Sequence, residues 1–220
     1  MRAPVKRRRY DSPRRREQAR ETRRVILDAA SSLFVARGYG STTIGAVAEE
    51  AGVAPETVYA AFRSKRSLLA ELIDVSIAGD DAPVPILERP WVRQLWEEPD
   101  TRGRLRILAR NARSMLERST PILEVLRGAA AADPELAELW RRYKAQRFEG
   151  QRVLLGILTE RSGLRDGLTA ETALDVLFAL GSPETYGLLV GDRGWSPARF
   201  EGWYEDALAR LLLPPANAPR

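Results

Sequence analysis

Apolar residues recur along this chain at helical spacing, in blocks that glycine and proline separate. Ile26, Ala29, Ala30, Leu33 and Phe34 form one stripe and predict a helix from about Arg16 to Arg37, ended by Gly38. Ile44, Val47 and Ala48 repeat at i, i+3, i+4 and predict a short second helix, with Thr42 as its cap. Gly52 stands where that helix must stop, a position that calls for positive φ. Pro55 suits the first turn of a third helix, whose early N–H groups have no partner. Val58 and Phe62 would hold that helix down, leaving Glu56, Thr57, Tyr59 and Ala60 outward, ahead of a basic Arg63-Ser64-Lys65-Arg66 exit. Two helices joined by a short glycine turn are the arrangement that presents one helix to a major groove.

The remaining pattern is also helical. Leu68, Leu69, Leu72 and Ile73 predict a helix from Lys65 to about Ala78, followed by a long irregular connection that holds Trp91 and Trp96. Leu105, Leu108, Ala112, Met115 and Leu116 predict a helix from about Asp100 to Arg118, with Arg106, Arg110 and Arg113 on a solvated face. Thr120-Pro121, Asp133-Pro134, Ser182-Pro183 and Ser196-Pro197 each pair a capping residue with a first-turn proline and read as helix starts. The helix after Asp133, to about Arg161, is expected to be the longest. A helix from about Thr169 to Val190 and one from Pro197 follow. On the last, Phe200, Trp203, Tyr204, Ala207, Leu208 and Leu211 form a wide aromatic-rich stripe. Burial in the chain's own core and a two-fold interface both fit it. No strand pattern is found, so the expected fold class is all-α.

Composition narrows the chemistry. The 220 residues contain no cysteine and no histidine. That removes disulfides, thiol chemistry and the Ser-His and Cys-His catalytic pairs, and leaves zinc only carboxylates. Neither a glycine-rich phosphate loop nor a dinucleotide fingerprint occurs. No metal, no cofactor and no enzymatic activity are expected. No apolar run reaches the ~20 residues needed to span a bilayer, and no apolar core follows the basic start as a secretory signal requires. A cytoplasmic protein without a membrane partner is the expectation. The formal charge of +5 is uneven: residues 1–24 carry eleven Lys or Arg against three acids. Arg7-Arg8-Arg9 and Arg14-Arg15-Arg16 read as a disordered basic arm, either solubilising or lying along nucleic acid.

Taken together, the order ILDAA, LF, GYG, T, AVAEEAGV, TVY, F, SK and LL across residues 26–73 resembles the amino-terminal domain of the TetR family of bacterial transcriptional regulators. The resemblance implies a three-helix DNA-binding head joined to a helical, ligand-binding and dimerising body. With the arm and the end of the chain read from their own composition, the expected divisions are 1–16 for the arm, 17–64 for the head, 65–213 for the body and 214–220 for a frayed tail. Carried over by position, the first helix of the motif is Thr43 to Glu50 and the reading helix is Pro55 to Ala61. The implied DNA contacts are Thr42, Thr43, Pro55, Glu56, Thr57, Tyr59, Ala60 and Lys65. Gly45 departs from a position where many members are basic, and Ala60 and Ala61 from positions that are often aromatic or histidine. Alanine can still meet a thymine methyl.

The implied function is a sequence-specific regulator, most often a repressor, that binds double-stranded operator DNA as a homodimer and is released by a small-molecule effector. Candidate effector contacts, chosen by aromatic or apolar character, are Trp91, Trp96, Met115, Trp140 and Phe148. Because the family pairs through its final helices, the candidate dimer face is Leu177, Phe178, Phe200, Trp203, Tyr204, Leu208 and Leu211. A helical enzyme or carrier using the same pocket, and a non-specific nucleic-acid binder, are the alternatives.

Overall fold

A computed structural model of the chain describes residues 13–215. Among these residues every regular element is a helix. None of them is by itself long and apolar enough to cross a membrane. The chain forms two compact units, residues 1–69 and 70–220.

The first unit contains α1 (Pro13–Ser41), α2 (Ile44–Glu50), α3 (Pro55–Phe62) and the start of α4 (Lys65–Ala78). Helix α1 begins at Pro13, so residues 13–16 of the expected arm are helical, while the Arg7-Arg8-Arg9 cluster lies outside the described residues. Ile26, Leu27, Ala29, Ala30, Leu33 and Phe34 are buried along one face of α1. The regular helix breaks at Gly38, where φ is 76° and ψ 165°, a region open to glycine. Ile44, Val47 and Ala48 of α2 and Val58 and Phe62 of α3 are buried as their spacing requires. Gly52, at φ 65°, turns the chain between them.

The second unit contains the rest of α4, then α5 (Pro90–Glu97), α6 (Thr101–Ala130), α7 (Pro134–Thr159), α8 (Ala170–Leu180), α9 (Pro183–Tyr186) and α10 (Pro197–Leu212). Helix α6 packs against α7, α9 and α10. Their shared core includes Leu105, Leu108, Leu158, Leu177, Phe200 and Leu208.

Four expectations change here. The connection after α4 is not irregular throughout: it contains a 3₁₀ turn, Ile86–Glu88, and then α5. Pro90 opens α5, and Val92 and Leu95 face the core at i, i+3. Pro121 starts no helix. Helix α6 runs straight through it for 30 residues and is longer than α7, which has 26. The lost N–H and ring clash cost about 3 kcal/mol. Burial of Leu116, Ile122 and Leu123 on either side, at about 1.5–3 kcal/mol each, outweighs that. The expected Thr169–Val190 helix is divided at Gly181, because Ser182 caps a new helix whose first residue is Pro183. Helix α9 then widens into a π-helical stretch, Gly187–Asp192.

One buried charge organises the α5–α6 corner. Arg104 is 0% exposed. Its Nε donates to the Glu98 carbonyl at 2.8 Å and its Nη2 to the Trp96 carbonyl at 3.2 Å. Its Nη1 donates to the Ile157 carbonyl on α7. The Glu160 carboxylate accepts from both Nη atoms at 3.2 Å. Arg104 therefore fastens the end of α5 to the end of α7. Arg113, expected on the solvated face with Arg106 and Arg110, is half-buried and bridges Glu117 at 2.8 Å to Glu201 of α10 at 3.1 Å.

Candidate functional sites

In the first unit, the turn ahead of α2 decides which polar groups face outward. Thr43, not Thr42, caps α2: its hydroxyl accepts the Ala46 N–H at 3.1 Å. Thr42 is fully buried, and its hydroxyl donates to the carbonyls of Gly38 at 2.9 Å and Leu33 at 3.2 Å. Those bonds tie the residue that follows α1 back onto the helix beside its break, so Thr42 is a structural plug and its hydroxyl does not reach a phosphate. Thr43 is exposed.

On α3, Pro55, Glu56, Tyr59 and Ala60 are exposed, Tyr59 by 52%, and Thr57 is half-buried. Glu56 lies in the first turn, where a negative charge suits the helix dipole. The helix ends at Arg63, a non-glycine residue at φ 63°. Its N–H still reaches the Tyr59 carbonyl at 2.8 Å, and the Ser64 hydroxyl then accepts the Ser67 N–H to start α4. A bulky residue in that region is uncommon, and the reversal brings the α3 exit and the α4 start together.

Two cations secure this unit. Arg23 donates to the Ala61 carbonyl at 2.6 Å and stacks 4.4 Å over the Phe62 ring, tying α1 to the C-terminal end of α3. In the sequence Arg23 is one more charge on a basic face, and nothing local marks these contacts. Lys65 is half-buried, and its Nζ donates to the carbonyls of Tyr39 and Thr42 at 2.9 Å each and lies 4.2 Å over the Tyr39 ring. Lys65 thus holds the turn before α2 in place.

The second unit encloses a cavity of about 1410 Å³ between α4, the 79–90 segment, α5, α6, α7 and α10. Its apolar wall includes Val75, Ile86, Trp91, Leu108, Met115 and Leu154. Arg118 donates to the carbonyls of Ser76 at 3.2 Å and Ile77 at 3.4 Å, at the C-terminal end of α4. It packs where a Cβ on Gly79 would come within 3.0 Å of it. Arg89 grips Asp80 at 2.6 and 3.0 Å, holding that carboxyl below its usual range. Asp74 shifts the other way: burial first, and then the Glu71 charge, raises its carboxyl.

Of the expected effector contacts, Trp91 and Met115 line the cavity and the other three do not. Trp96 is 48% exposed, because Val92 and Leu95 turn inward on α5. Trp140 stacks on Tyr143 at 5.4 Å, and Phe148 sets its edge against Phe178 at 5.5 Å. The expected dimer face divides more sharply. Leu177, Phe200, Tyr204 and Leu208 are at most 1% exposed within a single chain and belong to its core. Leu177 and Tyr204 also line the cavity. Phe178 is half-buried beneath Arg147, whose guanidinium lies 3.6 Å from the ring. Half-buried Phe178 and Trp203 and exposed Leu211 keep surface, together with Leu188, which is 56% exposed. A wide apolar stripe tells which residues share a face, not which neighbour covers it.

Residues 26–72 match the family model described as bacterial regulatory proteins, tetR family. The chain is 27% identical over 187 residues to the uncharacterized HTH-type transcriptional regulator YdeS of Bacillus subtilis, covering 81% of this chain and 84% of that one. It is 28% identical over 218 residues to the HTH-type transcriptional regulator TtgR of Pseudomonas putida, covering 92% and 97%. Among solved structures, NalD of Pseudomonas aeruginosa, the secondary repressor of the MexAB-OprM multidrug efflux pump, superposes with a TM-score of 0.64 at 25% identity, covering 90% and 98%. All three are described as regulators of transcription, not as enzymes.

Proposed function

Since the chain belongs to the TetR family of bacterial transcriptional regulators, we propose that it is a homodimeric repressor that reads an operator through α3 and leaves it when a small molecule enters the cavity. The observation that carries this reading is the exposed face of α3. Tyr59, Ala60, Glu56 and Pro55 project from a helix pinned by Val58 and Phe62, so their exposure is fixed rather than incidental. Thr43 at the start of α2 and half-buried Thr57 extend that face. Tyr59 suits a phosphate or sugar contact, and Thr57 with Ala60 a base edge. Lys65 works from behind: it positions the turn that carries Thr43. NalD's role as a repressor supports the sign of regulation. The cavity, larger than most drug-sized sites, supports a bulky effector. A homodimer formed through Leu188, Trp203 and Leu211 carries two reading helices, and helix-turn-helix dimers read half-sites about one DNA turn apart (~34 Å), which calls for a palindromic site in cytoplasmic DNA.

The test is selection of bound fragments from genomic DNA by the purified chain, followed by titration against excess unrelated DNA. A two-fold motif that survives competition is expected. Binding that vanishes under competitor would leave only non-specific attraction. Tyr59→Ala should weaken binding to every fragment alike, whereas a Thr57 variant should change the preferred base.

A further inference from the structure

The cavity lining specifies more than size. This step rests on the reading of the cavity as the effector site. Tyr143, Arg147 and Gln151 follow one another at i, i+4, i+8 on α7, and all three line the cavity. Arg147 spends Nη1 on the carbonyls of Phe178 at 2.9 Å and Gly181 at 3.2 Å. Its Nε, which can only donate, is buried without a partner among the described residues. One turn on, Gln151 Oε1, which can only accept, is likewise buried and unpartnered. Tyr204, 1% exposed, stands behind them: its phenol oxygen lies 2.6 Å, and the Gln151 amide nitrogen 3.3 Å, from where a Gly181 Cβ would sit. Glycine at 181 is what lets these two groups meet the wall. Native interiors rarely leave such groups unsatisfied, and an orphan donor one helical turn from an orphan acceptor calls for a third group.

We infer that the effector is an uncharged, largely apolar molecule whose hydroxyl group sits between Arg147 Nε and Gln151 Oε1. A hydroxyl accepts from the first and donates to the second. A carboxylate would answer Arg147 but face the Gln151 oxygen, in a wall that also carries Glu71, Asp74 and Glu149. An ammonium would answer Gln151 but face the guanidinium. The other two cavity arginines are already engaged, Arg89 by Asp80 and Arg118 by the carbonyls at the end of α4. Burial pushes the Tyr143 phenol up to about 12 and that of Tyr204 further up, so both stay neutral donors across the physiological range. Both orphan atoms are closed to solvent, so the Arg147 guanidinium and the Gln151 amide both have to turn toward the cavity as the hydroxyl enters.

The experiment uses the full chain and four congeners of one apolar body: pyrenemethanol, methylpyrene, pyrenecarboxylate and pyrenemethylammonium. Binding is read at neutral pH by energy transfer from tryptophan, with Trp91 in the cavity wall. The alcohol is expected to bind about tenfold more tightly than each of the other three, the yield of one good hydrogen-bonding group. Gln151→Met should bring the alcohol within about threefold of methylpyrene. Gln151→Glu should move the preference to the ammonium. Methylpyrene binding as well as the alcohol, or a charged congener binding better, would overturn the hydroxyl assignment and leave the cavity as an effector site. Failure of all four to bind would overturn both. The comparison among congeners on the unaltered chain stands even if a Gln151 variant does not fold.

Discussion

Replacing Arg104 with methionine tests whether this buried cation acts through carbonyls or through its ion pair. Methionine follows the side chain as far as Nε and removes every donor. Three backbone carbonyls, those of Trp96, Glu98 and Ile157, then lose a charged partner. Hydrogen bonds to charged groups contribute about 1.5–3 kcal/mol each. Water can replace the arginine at Trp96 and Glu98, near the surface, but not at Ile157, which is 1% exposed. The expected loss is about 3–5 kcal/mol, the range for breaking a buried charged contact. The Glu160 side chain is 49% exposed, so its attraction to Arg104 is screened and Glu160→Gln should cost about 1 kcal/mol or less. Urea unfolding of each variant, followed by tryptophan fluorescence with Trp96 as a local probe, gives both values. A loss of 3 kcal/mol or more corresponds to a fall in Tm of about 6 °C or more for a chain of this size. Equal losses from Arg104→Met and Glu160→Gln would refute the argument, because the ion pair would then be the dominant contact.

Other outcomes follow from single contacts. Thr43→Ala should cost about 1 kcal/mol by removing the α2 cap, measured as a shift in urea midpoint, while Thr42→Val should cost as much or more through its buried hydroxyl. Leu208→Asp should abolish folding, whereas Leu211→Asp should leave the melt nearly unchanged and weaken self-association in sedimentation. The raised carboxyl of Asp74 disfavours the folded state once ionised, so its contribution is best below the ordinary carboxylate range and is lost as pH rises through its folded value. Asp74→Asn should therefore stabilise the chain at neutral pH, and the gain should vanish in acid; a gain that persists at pH 3 would contradict the stated cause.

Features written into single residues were legible in the sequence. Gly52 and Pro55 mark the turn between α2 and α3 because positive φ and a missing N–H are local properties. Which of two adjacent threonines turns inward was not legible, since that depends on the carbonyls of Leu33 and Gly38 beside the helix break. The period of α10 identified a face but assigned it to a partner, when the chain's own α6 and α8 cover most of it. Aromatic character misplaced Trp96, Trp140 and Phe148 for a similar reason. Tyr143, Arg147 and Gln151 repeat at i, i+4, i+8 but are too polar to suggest a lining, while Trp96 and Trp140 find surface or stacking positions.

The wide turn at Gly187–Asp192 gives the chain a place to absorb a change in its own length. A π turn is the form a helix adopts when it holds one residue more than its α register needs. Upstream, Tyr186 is fixed against Phe200, with ring centroids 4.8 Å apart. Downstream, the Trp195 N–H reaches back to the Leu189 carbonyl at 3.0 Å. Deleting one residue between Tyr186 and Leu189 lets the segment rewind toward 3.6 residues per turn while the spacing from Leu189 to Trp195 is kept. The same deletion early in α10 would rotate Phe200, Tyr204 and Leu208 by about 100° and carry them out of the core. Loss of a codon is therefore tolerable at the start of this π turn and ruinous in the sixteen residues that follow Ser196.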